Sequence, residues 1–579
     1  MILHALKEYY DRKAALPDDA SGDAIAPPGW EKKELPFLIV LDAQGNPIAI
    51  DDTRELVGKK KRAKTFLVPQ TVKRTVGIAA NVLWDNPEYV FGVVTKGKPE
   101  RVAAQHAAFI EQIALLNISN EPEIATLLTF LGRSEKSAEL EACNKELWTE
   151  ILETAPFLSF KIAGAAEPIF RNPAVVRALA SQTSAGESNA KALCLVTGIP
   201  DEIERLHPAI KGVRDANSTG ANIVGFNLDA FCSYNKNQGE NAPVGKVAAF
   251  AYTTALNTLL GKDSKQKLQI GDASTIFWAA KDDTFEADVV DFFGEPPKDD
   301  PDRLVDAVKG LYQSAETGAF VTDSDETKFY VLGLAPNSAR LSVRIWHCGT
   351  VAEMAGCFRQ YFDELRIVHG PKDKDHLSLW RLLVSLAALG KSENIPPNLA
   401  GDIMRAILEG LPYPSTLLQS ALLRLRAEQE VTYPRAALIK AFINRSLRLN
   451  NLNKEKELTV SLDLENTNTG YRLGRLFAVL ERTQERANPG INATIRDRFY
   501  AAASSTPASV FGSLMRLKNH HLSKLENIGE RVNIEKLFGE IISGVADFPA
   551  HLSLENQGRF AIGYYHQRQD FFTKKSDKE

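Results

Sequence analysis

The chain has 579 residues, room for about three to four domains at roughly 150 residues each. Its 69 Lys+Arg against 73 Asp+Glu leave a net charge of −4, which excludes a wholesale basic coat and confines any nucleic-acid contact to local clusters. Five Cys, an odd number with no CxxC pair, argue against a disulfide framework or a four-thiolate zinc site and suit a reducing compartment.

The opening MILHALKEYYDRKAALPDD reads as a short amphipathic helix that breaks at Pro17. It lacks the apolar core of a signal peptide. The longest apolar stretches, Val247–Leu260 and Leu382–Leu389, are too short or too polar to span a bilayer, so a cytoplasmic chain without a membrane segment is expected. Residues 17–34 read as a Pro/Gly/Asp-rich loop. LPFLIVLDAQGNPIAI predicts strand, turn, strand, with the turn over Ala43–Pro47 and Gly45 and Asn46 at its tip. Helical spacing of Ala108, Ile110, Ile113 and Leu116 places helices over about 101–154.

From 155 to 348 compact apolar runs predict strands: FLSFKI, ALCLVT, STIFWAA, FYVLGLA and LSVRIW. Val247–Leu260 and Arg303–Gln313 predict helices between them. This is an α+β pattern rather than strict βα alternation. After about 350 only helical patterns remain, and the Asn-rich stretch 450–470 reads as a linker before a last helical unit. The expected division is therefore an α+β region at 1–154, a mixed region at 155–350, a helical region at 351–450 and a helical bundle at 451–579.

Charge is unevenly spread. Arg54–Arg101 carries eleven Lys/Arg against four Asp/Glu, and Lys440–Lys524 fourteen against seven, each a net +7. Lys281–Thr327 carries four against fourteen, net −10. Two positive surfaces and one negative one are expected.

Common enzyme signatures are missing: no GxxxxGK[ST], GxSxG or HExxH occurs. Cys348 and Cys357, with His347, read as ordinary thiols near a strand end, and adjacent His520 and His521 point too far apart on a helix to ligate one metal. The acidic stretch 282–306 reads as a solvated loop without metal-loop spacing. No metal and no cofactor are expected. The sharpest local feature is GKKKRAK (Gly58–Lys64), read as a loop between two strands and followed by PQTVKRT. Lys59, Lys60, Lys61, Arg62, Lys64, Lys73 and Arg74 are the candidates for phosphate contact, with a solvated face as the alternative. Trp84 is read as core.

Gly220–Lys246 packs amides around glycines. Amides read base edges and glycine lets backbone approach a ligand, although the same composition also makes a plain surface turn. Asn222, Asn227, Ser233, Tyr234, Asn235, Gln238 and Asn241, with Gln70, are the base-reading candidates. In GKDSKQKLQIGD, Lys265, Gln266 and Lys267 sit on a turn that could enter beside a base pair, with a plain surface hairpin as the alternative.

Together these segments resemble the large subunit of the type I-C CRISPR effector complex, Cascade. MILHALKEYYDR, PPGW, PFLIVLD, VPQTVKRT and ANVLWDN carry the resemblance at the front. GFNLDAFCSYNKNQGENAPVGKVAAFAYTTALNTLL, GDASTIFWA and FYVLGLAPNSARLSVRIW carry it in the middle. YRLGRLFAVLERTQERANPGINATIRDRFYAAASSTPASVF and GRFAIGYYHQR carry it at the end. The resemblance implies a non-enzymatic subunit beside the 5′ handle of a CRISPR RNA. It implies recognition of a protospacer-adjacent motif in duplex DNA, opening of the duplex and recruitment of a helicase-nuclease. Partners would be the backbone and handle-binding subunits, and a small subunit made separately from the C-terminal part. With no Met near 450–470, that product would need a non-Met start such as Leu452 or Val460. Arg472, Arg475, Arg482, Arg486, Arg496 and Arg498 would then track displaced single-stranded DNA, the alternative being a helical face with its own ion pairs. The competing readings are a scaffold without base readout, and a metal-dependent nuclease built on 282–306.

Overall fold

The computed structural model describes residues 2–15, 25–57, 60–72, 74, 77–184, 191–283, 285–296, 300, 302–317, 326–396, 398–450 and 455–572. Lys59, Lys73 and Leu452, and the side chain of Lys60, lie outside the described residues. The protein is α+β. Its chain divides into a first unit, Leu3–Pro208 with Gly225–Leu256, and a second, Ala209–Val224 with Asn257–Glu579. This partition differs from the four consecutive regions expected, because the chain passes between the units more than once.

The first unit begins with α1 (Ile2–Ala14), followed by β1 (Trp30–Glu34), β2 (Phe37–Leu41), β3 (Pro47–Asp52), β4 (Arg54–Val57), β5 (Lys60–Ala63), β6 (Thr65–Pro69) and β7 (Trp84–Asp85). Helices α2 (Pro87–Phe91), α3 (Pro99–Ala114), α4 (Pro122–Leu131), α5 (Lys136–Cys143) and α6 (Lys145–Thr154) lead to β8 (Leu158–Ile162). Then come α7 (Pro173–Ser184), β9 (Lys191–Leu193), β10 (Pro200–Glu202) and α8 (Lys246–Leu259), whose last turn passes into the second unit.

A four-stranded sheet runs β3-β2-β8-β7. Strand β2, FLIVL, is apolar almost throughout because it is central, antiparallel to β3 and parallel to β8. The expected turn closes on Asp42, whose Oδ1 accepts from the Gln44 and Asn46 amides at 2.9 and 2.7 Å. Phe91 packs edge-on to Phe130, Trp148 and Phe160 beneath the sheet. Two further antiparallel ribbons are β1–β6 and β4–β5. Both correct the sequence reading. WEKKE is a strand rather than loop, and the basic run forms a strand, β5, rather than a loop.

The second unit holds the antiparallel meander β11 (Lys267–Ile270), β12 (Ala273–Ala279), β13 (Lys328–Asn337) and β14 (Arg340–Thr350), with α9 (Phe285–Phe293) and α10 (Arg303–Thr317) between β12 and β13. The acidic stretch is thus partly helical, not a loop. Strand β14 feeds α11 (Val351–Leu365) through a capping box of Thr350 and Glu353. After it come α12 (Leu379–Leu386), α13 (Leu399–Glu409), α14 (Ser415–Glu428) and α15 (Tyr433–Asn450). The chain ends in α16 (Thr469–Ala487), α17 (Ile495–Ser505), α18 (Phe511–Ser523), α19 (Ile528–Ile542) and α20 (Leu554–Asp570).

One apolar core runs from Phe277, Phe329 and Ile345 of the sheet through Phe358 and Ile439 to Phe477 and Phe560. Helical regions 351–450 and 451–579 therefore share a core. Residues 455–468 are a packed strap rather than a free linker. Leu458 exchanges two hydrogen bonds with the Asn444 side chain at 2.8 Å each, and the Val368 amide donates to the Val460 carbonyl at 2.8 Å.

Helices α16 and α20 approach so closely that a Cβ on Gly474 would lie 2.0 Å from the Phe560 carbonyl oxygen, and one on Gly563 2.0 Å from that of Tyr471. Gly474→Ala is therefore expected to destabilise the protein by about 3 kcal/mol or more, since backbone on two helices must separate. Gly512→Ala, which meets open space, is expected to change stability by less than about 1 kcal/mol. Thermal and urea melts of the two variants check this.

Burial pushes the Lys440 ammonium down to about 8, against the pull of Glu457 and Glu364. Its Nζ donates to the Glu364 carbonyl at 3.1 Å. The unfolded chain binds more protons than the folded one between pH 8 and the ordinary lysine range, so stability rises with pH in that window. Relative to Lys440→Met, the natural protein is expected to gain about 1–2 kcal/mol between pH 7 and 9.5. Urea titrations of both proteins at the two pH values measure it.

Candidate nucleic-acid interface

The basic run is the second strand of a ribbon whose register pairs Arg54 with Ala63, Glu55 with Arg62, Leu56 with Lys61 and Val57 with Lys60. Alternation along a strand puts neighbouring cations on opposite faces. Lys61 and Lys64 are exposed, while Arg62 is half-buried with Nε 3.6 Å from Glu34. Leu56, opposite Lys61 on one face of the ribbon, is 73% exposed, so that face is open to solvent.

The base of this ribbon is clamped. Arg54 donates to Asp52 at 2.7 Å and to Glu150 of α6 at 2.9 Å, and its guanidinium lies 4.5 Å from the Phe37 ring. The hydrogen bonds from Arg54 hold both carboxyls below their usual range. The Thr53 amide donates to the Pro36 carbonyl at 2.9 Å, and the Leu35 amide to that of Lys64 at 3.2 Å. One of the cations counted in the sequence is therefore an anchor, while Lys61 and Lys64 are displayed.

The segment after β6 is also tied down from within. Gln70 donates its amide to the Gly29 carbonyl at 2.8 Å, and Val72 its amide to the Asn81 side chain at 3.0 Å. Arg74 is exposed but bonded within the chain. Its guanidinium pairs with Asp85, donates to the Ala79 carbonyl at 2.6 Å and lies 4.1 Å from the Tyr89 ring. Asp85 is fully buried, and burial raises its carboxyl pKa against the pull of Arg74 and the Asn81 amide. An arginine engaged with a buried carboxylate ties the loop to the core. Trp84, with Nε1 donating to the Pro69 carbonyl at 2.9 Å, is core as expected.

The base-reading candidates divide. Asn222 belongs to the second unit, where its backbone brackets the 339–341 turn: its amide donates to Ala339 at 3.3 Å and its carbonyl accepts from Leu341 at 3.0 Å. The others belong to the first. Asn241 builds its loop. Its Oδ1 accepts from the Ser233 amide at 2.9 Å, and its Nδ2 donates to the carbonyls of Lys236 and Gln238 at 3.0 Å each. Gln238 accepts from Arg205 at 2.7 Å. Asn227, Ser233, Tyr234 and Asn235 are exposed.

Two of the three wedge candidates are internal staples. Gln266 donates to Glu286 at 2.9 Å, and Lys267 donates to the carbonyls of Gly212 and Leu260 at 2.7 and 2.9 Å. Burial lowers the Lys267 pKa. Only Lys265 is exposed.

The arginines of the last bundle are largely tied up as well. Arg475 is 1% exposed and donates to Gln567 at 3.1 Å and Glu540 at 2.8 Å, which removes it from any surface strand track. Arg472 donates to the carbonyls of Asn466 and Gly544. Arg482 pairs with Glu485, Arg486 with Glu530, and Arg496 with Glu481 and Asp497. Arg498 is exposed, and no carboxylate partners it among the described residues. The same holds for Arg516 and His520 on α18 and for Lys524 at its C-terminal cap, which recur every fourth residue as an exposed stripe. Their spacing was readable from the sequence, but the net charge of 440–524 concealed which cations stay free.

Carboxylates of the acidic stretch are engaged: Asp291 with Arg303, Glu295 with Arg381, Asp302 with Lys374. Among the described residues no group of three or more His, Cys, Asp or Glu side chains is placed to hold a metal ion. No helix among them is long and apolar enough to cross a membrane.

The family model for a CRISPR-associated protein, Cas_Csd1, matches residues 6–572, nearly the whole chain, and the chain belongs to that family. No curated protein matches the chain.

Arg54→Ala is expected to unclamp the ribbon. Amide exchange at Glu55 and Arg62, which face each other across the ribbon, should quicken at least about ten-fold, and global stability should fall by about 1.5–3 kcal/mol for the lost charged hydrogen bonds. Hydrogen-exchange mass spectrometry with a urea melt tests both.

Proposed function

We propose that this chain is the large subunit of a type I-C RNA-guided surveillance complex, and that it recognises the motif adjacent to the target in duplex DNA. The supporting observation is the clamped basic ribbon in a member of a CRISPR-associated family. A two-stranded ribbon fits the major groove, and lysines displayed along it contact phosphates as point charges. In such systems the protein reads a short motif and guide pairing reads the remaining sequence.

On this reading the chain carries no catalytic centre. It works in the cytoplasm beside the 5′ handle of the CRISPR RNA, with the backbone and handle-binding subunits. It helps open the duplex and recruit a helicase-nuclease. Phosphate contact falls to Lys61 and Lys64, with Lys59, Lys60, Arg62 and Lys73 alongside. Base reading falls to Gln70, Asn222, Asn227 and the 233–241 loop. Displaced single strand follows Arg498 and the α18 stripe, with Arg472, Arg482, Arg486 and Arg496 at its margin. The C-terminal helices are also made separately as the small subunit.

Complexes reconstituted with and without the chain, titrated with duplex DNA carrying or lacking the motif, test the reading. Omission is expected to abolish duplex binding and to spare pairing with single-stranded target. Motif preference that survives omission would assign motif reading to another subunit and leave this chain a scaffold. Lys61→Glu with Lys64→Glu is expected to reduce the slope of log affinity against log salt by about two. Intact mass of the small protein co-purifying from the gene locates its start, and an N-terminus beyond residue 500 would contradict a start near the strap.

A further inference from the structure

We infer that Tyr234 is a nucleobase-stacking side chain, held out by a rigid loop to take an unpaired base. The inference rests on the proposed nucleic-acid role and assigns a residue to it. Tyr234 is 94% exposed, a degree that a tyrosine used for packing does not reach. Its backbone is left-handed, with φ of 53°, and Asn235 and Gln238 follow at 58° and 45°. Side chains with a Cβ adopt this region rarely and singly. Three such residues within five persist only where surrounding bonds impose them.

Those bonds are present. The Asn241 side chain ties Ser233, Lys236 and Gln238 together, and the Asn237 amide donates to Glu240 at 2.8 Å. Gly239 fixes the loop from below, where an added Cβ would lie 2.4 Å from the Glu204 carbonyl oxygen. Arg205 donates to Gln238 beside it. The loop therefore cannot relax to bury the ring. Exposed Asn235, Lys236 and Asn237 flank the tyrosine. An aromatic face with a cation and amides beside it matches the stack, the phosphate and the edge of one nucleotide. Gln266, the side chain the sequence offered for insertion beside a base pair, is bonded to Glu286.

The test uses the full chain and a single-stranded oligonucleotide containing 2-aminopurine, with a duplex as companion. Tyr234→Ala is expected to weaken single-strand binding about ten-fold and to abolish quenching of the aminopurine. Tyr234→Phe and Tyr234→Trp are expected to retain both. The ring is exposed, so circular dichroism and the melting temperature should not change. Unchanged affinity and quenching in Tyr234→Ala would overturn the inference. So would a Tyr234→Phe variant as weak as Tyr234→Ala, which would mean a hydroxyl contact. So would a Tyr234→Ala variant that binds the oligonucleotide normally but loses a protein partner from the reconstituted complex. If Lys61→Glu with Lys64→Glu still weakens duplex binding in these cases, the wider reading stands without Tyr234. If the natural chain binds neither strand form, alone or in the complex, both fall.

Discussion

The second unit depends on one contact, the crossing of α16 and α20 at Gly474 and Gly563. The two backbones meet there with no side chain between them. Everything nearby follows from that approach. Tyr471 reaches His566 at 3.0 Å, and Tyr564 donates to the buried carboxylate of Glu481 at 2.6 Å. Thr494 donates to the same carboxylate at 2.7 Å, which brings α17 into the cluster. The other side of α20 packs through Gly558 against Ile439 and Ile443 of α15. Helix α15 in turn sends Arg445 to Glu364 of α11, a pair that is almost wholly buried, with Tyr413 donating to the same carboxylate. The last helix of the chain thus closes a core that begins at the central sheet.

That closure explains why two equal charge counts describe unequal surfaces. Of the cations between 440 and 524, Lys440, Arg445 and Arg475 are buried. Of the rest, Arg448, Arg486 and Arg496 pair with carboxylates on other helices, Arg482 with Glu485 on its own helix and Lys456 with Asp463 of the strap, while Arg472 donates to two carbonyls. Among the described residues, Arg498 and the α18 stripe stay exposed with no carboxylate partner. Between 54 and 101 the anchors are fewer, Arg54 and Arg74, and Lys61 lies with exposed Leu56 on an open face of the ribbon. Net charge measures what a segment contains, while accessible charge is what folding leaves unpaired.

The fold class and most elements were legible. The turn between β2 and β3, the strands β2, β3, β8, β12, β13 and β14 and the helices after 350 follow from apolar period and breakers. Strand WEKKE was not legible, because its polarity is that of an edge ribbon and its partner β6 lies thirty residues away. The basic run was read as loop because a two-stranded ribbon outside the apolar core needs no apolar alternation. The strap at 455–468 looked like a linker because its packing uses backbone groups and the Asn444 amide rather than a run of apolar residues. At the site, composition indicated which segments matter but not which member of each segment acts. Arg74, Gln266, Lys267 and Asn241 are chemically suited to nucleic acid, and all four are engaged internally.

The same division recurs at each candidate surface, and it has a physical reason. A side chain that is to meet a ligand with little loss of entropy must start from a fixed backbone. In a loop, that fixity comes from polar groups bonded to the loop itself. Arg54 fixes the ribbon beneath Lys61. The Asp85–Arg74 pair fixes the segment that carries Gln70 and Val72. Asn241 fixes the turn that carries Tyr234. The holding group must satisfy several backbone partners at once, so it is an amide, carboxylate or guanidinium, the same groups that recognise bases and phosphates. A loop built to bind is therefore enriched in binding-type residues for two reasons, and the sequence shows only their sum. The residues displayed are those the holding groups leave over, and their exposure and backbone angles distinguish them from the groups that hold the loop.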